Sequence, residues 1–152
     1  MEKRAALLEK AAAGAPDAFH ASTFDAHRTD TYMELGQPEK ARAMLAAREA
    51  EFPADYNPPA RLARVLLEMK RTPEAKEAIE RALSKMPLGQ RRVGVLGLKA
   101  KILTALGEST TPVLREQLAV LRQLPAPQRR PEAEAKLEKD IAAAEGAKVA
   151  NP

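Results

Sequence analysis

The two histidines, His20 and His27, are the side chains in this sequence best suited to bind a metal or move a proton. Seven residues apart, they would lie on one face of a helix. A zinc site needs three or four protein ligands, so Asp17 or Asp30 would have to complete it. We consider two surface or packing histidines the better interpretation and predict no metal site.

The sequence also gives little support for a catalytic or cofactor-binding site. The segment VGVLGLK at residues 93–99 has two glycines but lacks the Gly-Lys-Ser/Thr of a phosphate-binding loop and follows no predicted strand. We expect these glycines to pack against a helix or to kink their own. The sequence contains no nucleophile motif and no cysteine for thiolate chemistry or disulfides. We therefore predict no catalytic residue, no cofactor and no enzymatic activity.

Charge is distributed unevenly along the chain. Residues 1–56 carry 7 basic and 10 acidic side chains, whereas residues 57–124 carry 13 basic and 6 acidic ones. An anionic partner should therefore prefer the middle of the chain. All the aromatic side chains lie outside residues 57–124, so this basic part offers no platform for stacking bases. We disfavour a nucleic-acid partner and favour a protein or peptide, in particular an acidic one.

The sequence gives no sign of membrane insertion, because no apolar run reaches the length of a membrane span. Glu9 and Lys10 stand where an export signal would be apolar. We expect a soluble chain that is cytoplasmic, or periplasmic if it is a fragment of an exported protein.

Prolines mark the boundaries of a repeat. A shift of 34 residues lays MELGQPEKARAMLAAREAEFP (33–53) over LEMKRTPEAKEAIERALSKMP (67–87), so that Pro53 meets Pro87. A fixed period of this length indicates a solenoid, in which each unit packs only on its neighbours.

Each unit is predicted to contain two helices, because its apolar residues follow helical spacing on both sides of a central break. Gly36 should end a first helix in the left-handed conformation, and Asn57 should cap the next one. The second helices should begin at Pro38, Pro73 and Pro112.

These units predict the organisation of the chain. We assign residues 1–16 to an N-terminal half-repeat helix, 17–124 to three helix pairs, 125–130 to a linker, 131–146 to a capping helix and 147–152 to a frayed tail. The third pair should be looser because LGQRR is inserted after Pro87. The capping helix would cover the apolar face of the third unit through Leu137 and Ile141.

The pattern resembles the tetratricopeptide repeat, which has a 34-residue unit with small residues at the helix crossings and proline at its end. The resemblance covers about residues 20–124 and is carried in the second unit by Leu62, Ala63, Leu66, Ala75, Ile79, Ala82, Leu83 and Pro87, and in the first by Tyr32, Gly36, Ala41, Leu45 and Pro53. The first unit departs from the family at Asp25, Arg28 and Arg48, which replace an aromatic, an apolar and a small residue. The resemblance implies an all-α, right-handed solenoid of antiparallel helix pairs, with about seven to eight helices and a terminal capping helix.

The same resemblance implies a concave groove lined by the first helix of each pair. The binding residues carried over by register are His27, Asp30, Asn57, Arg61, Arg64, Glu68 and Lys101. Arg61, Arg64 and Lys101 would form a cationic centre, and arginine can bind both oxygens of a carboxylate. Alternatively these side chains are solvated and paired internally, for example Arg64 with Glu68 four residues on.

We therefore predict a non-catalytic protein-protein interaction module that binds a peptide or a partner surface in a concave, basic groove. The alternative is a structural or dimerising appendage of a larger protein. Residues 55–86, followed by RRVGVLGLKAKIL, also resemble helical-repeat regions C-terminal to thioredoxin-like domains of some bacterial proteins. The sequence has no Cys-x-x-Cys motif, so redox activity would belong to another domain. A homodimer is compatible with either function.

Overall fold

The computed structural model describes residues 1–149, and in this range it contains nine α-helices, one short 3-10 helix and no strand. The helices are α1 (Glu2–Ala13), α2 (Ala18–Ser22), α3 (Asp25–Glu34), α4 (Pro38–Glu51), α5 (Asn57–Glu68), α6 (Thr72–Lys85), α7 (Gln90–Ala105), α8 (Thr111–Gln123) and α9 (Pro131–Val149). Within the described range no helix is both long enough and apolar enough to cross a membrane.

The helices stack as consecutive pairs. From α3 to α9 each helix packs against the next one in sequence, and α5 also contacts α3 and α7. The first helices of the three pairs therefore form one layer, α3–α5–α7. This arrangement confirms the predicted all-α helical-repeat fold. The described range has nine helices because residues 18–34 form two helices, α2 and α3, instead of one.

The same turn joins the two helices of every pair. Gly36, Lys70 and Gly107 all adopt the left-handed conformation, with φ of 66°, 59° and 69°. In each case the next residue donates its backbone N–H to the carbonyl five residues earlier, as Arg71 does to Leu66 at 2.9 Å. This hydrogen bond satisfies a carbonyl that the helix end would otherwise leave without a partner. The left-handed stop predicted at Gly36 is confirmed.

Small side chains lie where the helices cross. Ala41, Ala63 and Ala75 are fully buried, at 0% exposure. At interhelical distances of about 8–10 Å a larger side chain would not fit at these points. Leu45 and Ile79, which the 34-residue shift superimposes, are also fully buried. The register of the first two units is therefore confirmed by burial as well as by the turns.

The start of α5 differs from the expectation. Asn57 is the first helical residue, and its own side chain does not cap the helix. Asp55 supplies the acceptor instead: its Oδ1 receives the Asn57 backbone N–H at 2.9 Å and the Asn57 side-chain amide at 2.7 Å. The prediction of Asn57 as the cap is wrong because an aspartate two residues earlier takes that role.

Helix α9 covers an apolar surface of α8. Leu137 is 7% exposed and packs in a cluster with the leucines of α8 and its C-terminal end, namely Leu114, Leu118, Leu121 and Leu124. Ile141 lies at the edge of this cluster. At the surface, Arg115 of α8 pairs with Glu145 of α9 at 2.5 Å. The helix continues past residue 146 to Val149, and residues 150–152 of the expected frayed tail lie outside the described residues.

Candidate functional site

An open groove lies between α7 and α9, with α8 at its base because both helices pack against α8. Its volume is about 770 Å³, within the range of about 300–1,000 Å³ that is typical of ligand-binding clefts. Residues from Val93 to Thr104 line the α7 side, and residues from Ala133 to Ala143 line the α9 side. Leu114 of α8 contributes apolar surface at the base. We call this feature the α7–α9 groove.

The two glycines of α7 that line the groove differ in what surrounds them. Gly94 and Gly97, the two glycines of VGVLGLK, both line it. The amide nitrogen of Gln117 from α8 donates to the Val93 carbonyl at 2.9 Å. A Cβ atom at Gly97 would come within 3.0 Å of that amide nitrogen, so Gly97 is the packing glycine that the sequence predicted. At Gly94 a Cβ atom would meet nothing within 4 Å.

Three cationic side chains stand around the groove, Arg64 of α5, Lys101 of α7 and Lys136 of α9. Asp140 is the acidic residue among them. Lys101 and Lys136 are exposed, and neither forms an ion pair with another residue in the described part of the chain. The rim of the groove therefore carries positive charge that an anionic ligand could neutralise.

The charge on Arg64 is already partly neutralised. Asp30, Arg64 and Lys101 occupy equivalent positions, each six residues before the left-handed residue of its unit. Arg64 donates to Asp30 at 2.5 Å, one 34-residue period away. The sequence had offered Glu68 as the internal partner, and the structure places Asp30 there instead. Lys101 forms no ion pair of this kind among the described residues.

The remaining sequence-predicted residues do not line the α7–α9 groove. Arg61 is half-buried and does not line the groove. Of the cationic centre predicted from Arg61, Arg64 and Lys101, the groove therefore contains Arg64 and Lys101, and Lys136 is the third cation there. His27 and Glu68 are exposed, and Asn57 is bonded to Asp55. Sequence reasoning missed Lys136 because it assigned the last helix only a capping role. The order of the helices could have indicated a role in the groove for α9, because α9 follows α8 as the first helix of a further unit would.

The three departures from the repeat pattern contact one another. Asp25 is 1% exposed, and its carboxylate accepts from Arg48 Nε at 2.7 Å and lies 3.4 Å from Arg28 Nη1. The hydrogen bond that Arg48 donates to Asp25 raises the pKa of Arg48 above its ordinary value. The residues that replace an aromatic, an apolar and a small side chain therefore form one ionic cluster between α3 and α4. They have a structural role and lie outside the groove.

The two histidines lie in no group of three possible metal ligands in the part of the chain that the structure describes. His20 Nδ1 lies 2.8 Å from Asp17 Oδ1, and the same oxygen accepts the His20 backbone N–H at the start of α2. These hydrogen bonds hold the pKa of Asp17 below its ordinary value. Among the described residues, no three histidine, aspartate or glutamate side chains are placed to hold a metal ion together.

Comparison with known families agrees with the helix pairs. The family model of the tetratricopeptide repeat matches residues 32–102, from the end of α3 through most of α7. Residues 32–102 are therefore similar to tetratricopeptide repeats. The matched segment contains Arg64 and Lys101 and lies N-terminal to Lys136. No curated protein and no solved structure matches the chain. Tetratricopeptide repeats are generally protein-interaction modules, and the family is typically non-catalytic.

Proposed function

We propose that this chain is a non-catalytic interaction module that binds an extended, acidic segment of a partner protein in the α7–α9 groove. One observation carries the proposal: apolar walls and three cationic side chains, Arg64, Lys101 and Lys136, surround the same open groove. The repeat family supports a protein partner. The charge of the rim supports an acidic one.

The length of the groove favours a short extended segment. The α7 wall from Val93 to Thr104 spans about 16 Å at the helical rise of 1.5 Å per residue. An extended chain rises about 3.3 Å per residue, so about five residues would fill the groove. Apolar side chains of the segment would contact Leu98 and Leu137, while its carboxylates would reach the rim.

Recognition of charge falls mainly to the two lysines. Arg64 already donates to Asp30, so a bound carboxylate would compete with an existing ion pair there. Lys101 and Lys136 are exposed and would gain a partner without losing one. The energy from each exposed charge is small, about 0–1 kcal/mol for a pair. The apolar walls must therefore supply part of the affinity.

The experiment is a selection from a phage-displayed library of randomised peptides about ten residues long, followed by fluorescence anisotropy on the peptides selected. We expect enrichment of Asp and Glu beside apolar residues. The Kd of a selected peptide should rise with salt, because the Debye length shortens from about 10 Å at 0.1 M to about 3 Å at 1 M.

A matched pair of variants tests the location. Lys101→Glu combined with Lys136→Glu should raise the Kd about tenfold or more, because like charges then oppose the acidic peptide. Lys139→Glu makes the same change of charge as Lys136→Glu and lies on the same helix, but Lys139 is exposed and does not line the groove. The Kd of the Lys139→Glu variant for the peptide should equal that of the parent. If all of these variants bind equally well, the groove is not the site.

The alternative function, a dimerising appendage, is favoured by exposed apolar side chains at the N-terminal end. Leu7 of α1 and Phe19 of α2 are each 68% exposed. If the library yields no peptide, the peptide-binding proposal is wrong. A dimer in sedimentation velocity that Phe19→Ser dissociates would then support the alternative.

A further inference from the structure

Gly94 is a glycine that the fold of this chain does not explain. It lies inside α7, where glycine is less favourable than alanine because it loses more backbone freedom on folding. Close packing within the chain would account for such a residue. A Cβ atom at Gly94, however, would meet nothing within 4 Å, and no positive φ requires glycine there.

Gly97, three residues further along α7, is by contrast required by packing within the chain. There a Cβ atom would come within 3.0 Å of the Gln117 side chain from α8. Both glycines line the α7–α9 groove, but only Gly97 is required by an intramolecular contact. A glycine that weakens its helix with no return inside the chain, and that also lines a groove, is a candidate for contact with what the groove binds.

We infer that Gly94 is a specificity-determining residue of the groove: the main chain of a bound acidic segment contacts α7 at the position where a side chain would stand. This inference rests on the proposed function. The occupant is a protein segment with carboxylates for Lys101 and Lys136 and with its backbone against Gly94. An extended backbone can approach a helix closely only where the helix carries no Cβ atom.

The inference predicts opposite effects on stability and on binding. Gly94→Ala should raise Tm by about 2–4 °C, since the new methyl group enters open space and alanine favours the helix. The same variant should raise the Kd of a peptide selected by the parent chain. Gly94→Leu should raise that Kd about tenfold or more, because the larger side chain occupies the space of the peptide backbone.

Gly146 supplies the matched control. It is a helical glycine of α9 at which an added Cβ atom would also meet nothing within 4 Å, and it does not line the groove. Gly146→Ala and Gly146→Leu should leave the peptide Kd unchanged. A loss of affinity in these controls equal to that of the Gly94 variants would overturn the inference.

The readouts separate this inference from the proposed function. If Lys101→Glu with Lys136→Glu weakens binding but Gly94→Leu binds as tightly as the parent, the groove is the site and the role of Gly94 is wrong. A fall in Tm on Gly94→Ala would show that the fold itself requires this glycine and would also overturn the inference. If the parent chain selects no peptide, the proposed function and the inference both fail.

Discussion

Among the residues that the structure describes, Lys70 is the non-glycine residue with a positive φ. It adopts a φ of 59° at the turn where Gly36 and Gly107 serve the other two pairs. A side chain in this conformation costs about 1–2 kcal/mol. Replacing Lys70 by glycine would remove this cost, but part of the gain would be lost because glycine gives the unfolded chain more conformational freedom. We expect Lys70→Gly to raise the free energy of unfolding by about 0.5–1 kcal/mol in urea denaturation.

The reverse change at an equivalent turn is the control for this prediction. Gly107→Lys should lower the free energy of unfolding, because it introduces the same conformational cost at φ of 69°. Both variants keep the hydrogen bond across the turn, since its donor is the backbone of the following residue. A decrease in stability for Lys70→Gly would show that the Lys70 side chain contributes more than its conformation costs.

The site could be predicted residue by residue only where the repeat register applied. Arg64 and Lys101 were found because they occupy one position in successive units, and the structure brings both to the groove. Lys136 and Gly94 were missed. Lys136 lies beyond the recognisable units. The role proposed for Gly94 depends on the empty space beside it, which no pattern in a sequence records.

At the scale of helices, Glu49 joins α4 to α6. Its carboxylate accepts from Arg81 Nε at 2.8 Å and from Lys85 at 3.3 Å, one repeat further along the chain. The hydrogen bond from Arg81 lowers the pKa of Glu49 below its ordinary value of 4.5. Its contribution to stability is therefore fully present above pH 4.5 and is lost as the pH falls through the lower folded-state pKa.

This linkage can be measured with Glu49→Gln, which cannot ionise. We expect the stability difference between the parent and Glu49→Gln to be constant from neutral pH down to the ordinary carboxylate range and to shrink below it. Glu68→Gln is the control, because Glu68 is exposed and forms no ion pair in the described part of the chain. A difference between parent and Glu49→Gln that does not change with pH would contradict the assignment.

Most helices were predictable because proline and glycine mark their ends. The division between α2 and α3 was not predicted. At the end of α2, the hydroxyls of Ser22 and Thr23 donate to the carbonyls of Phe19 and His20, both at 2.7 Å. Such local hydrogen bonds compete with continuation of a helix. Ser and Thr also occur inside helices, so their presence alone did not indicate a break.

For the molecule as a whole, α9 should determine solubility more than folding. We expect a chain lacking residues 125–152 to keep the helical content of α3–α8. It should nevertheless self-associate, because removal of Leu137 exposes the leucine cluster of α8, and contiguous apolar patches favour association. Circular dichroism and analytical ultracentrifugation measure the two effects.

The control for truncation is a full-length chain with a changed α9 surface, Lys139→Glu, which should remain as soluble and monomeric as the parent. If the truncated chain is also monomeric and equally soluble, the prediction is wrong, and α9 is not needed to shield the leucines of α8 from solvent. If its helical content falls by more than the loss of α9 accounts for, the last helix contributes to the fold of the repeats.

The ion pair between Asp30 and Arg64 restricts how the units could be multiplied. The two residues occupy equivalent positions in successive units and meet at 2.5 Å. Two tandem copies of the second unit would therefore set arginine against arginine, and two copies of the first would set aspartate against aspartate. The first two units are thus matched in charge to each other and not to a copy of themselves, whereas Lys101 of the third unit follows Arg64 with a like charge. A longer array that kept this ion pair at every junction would require acidic and basic residues to alternate at this position.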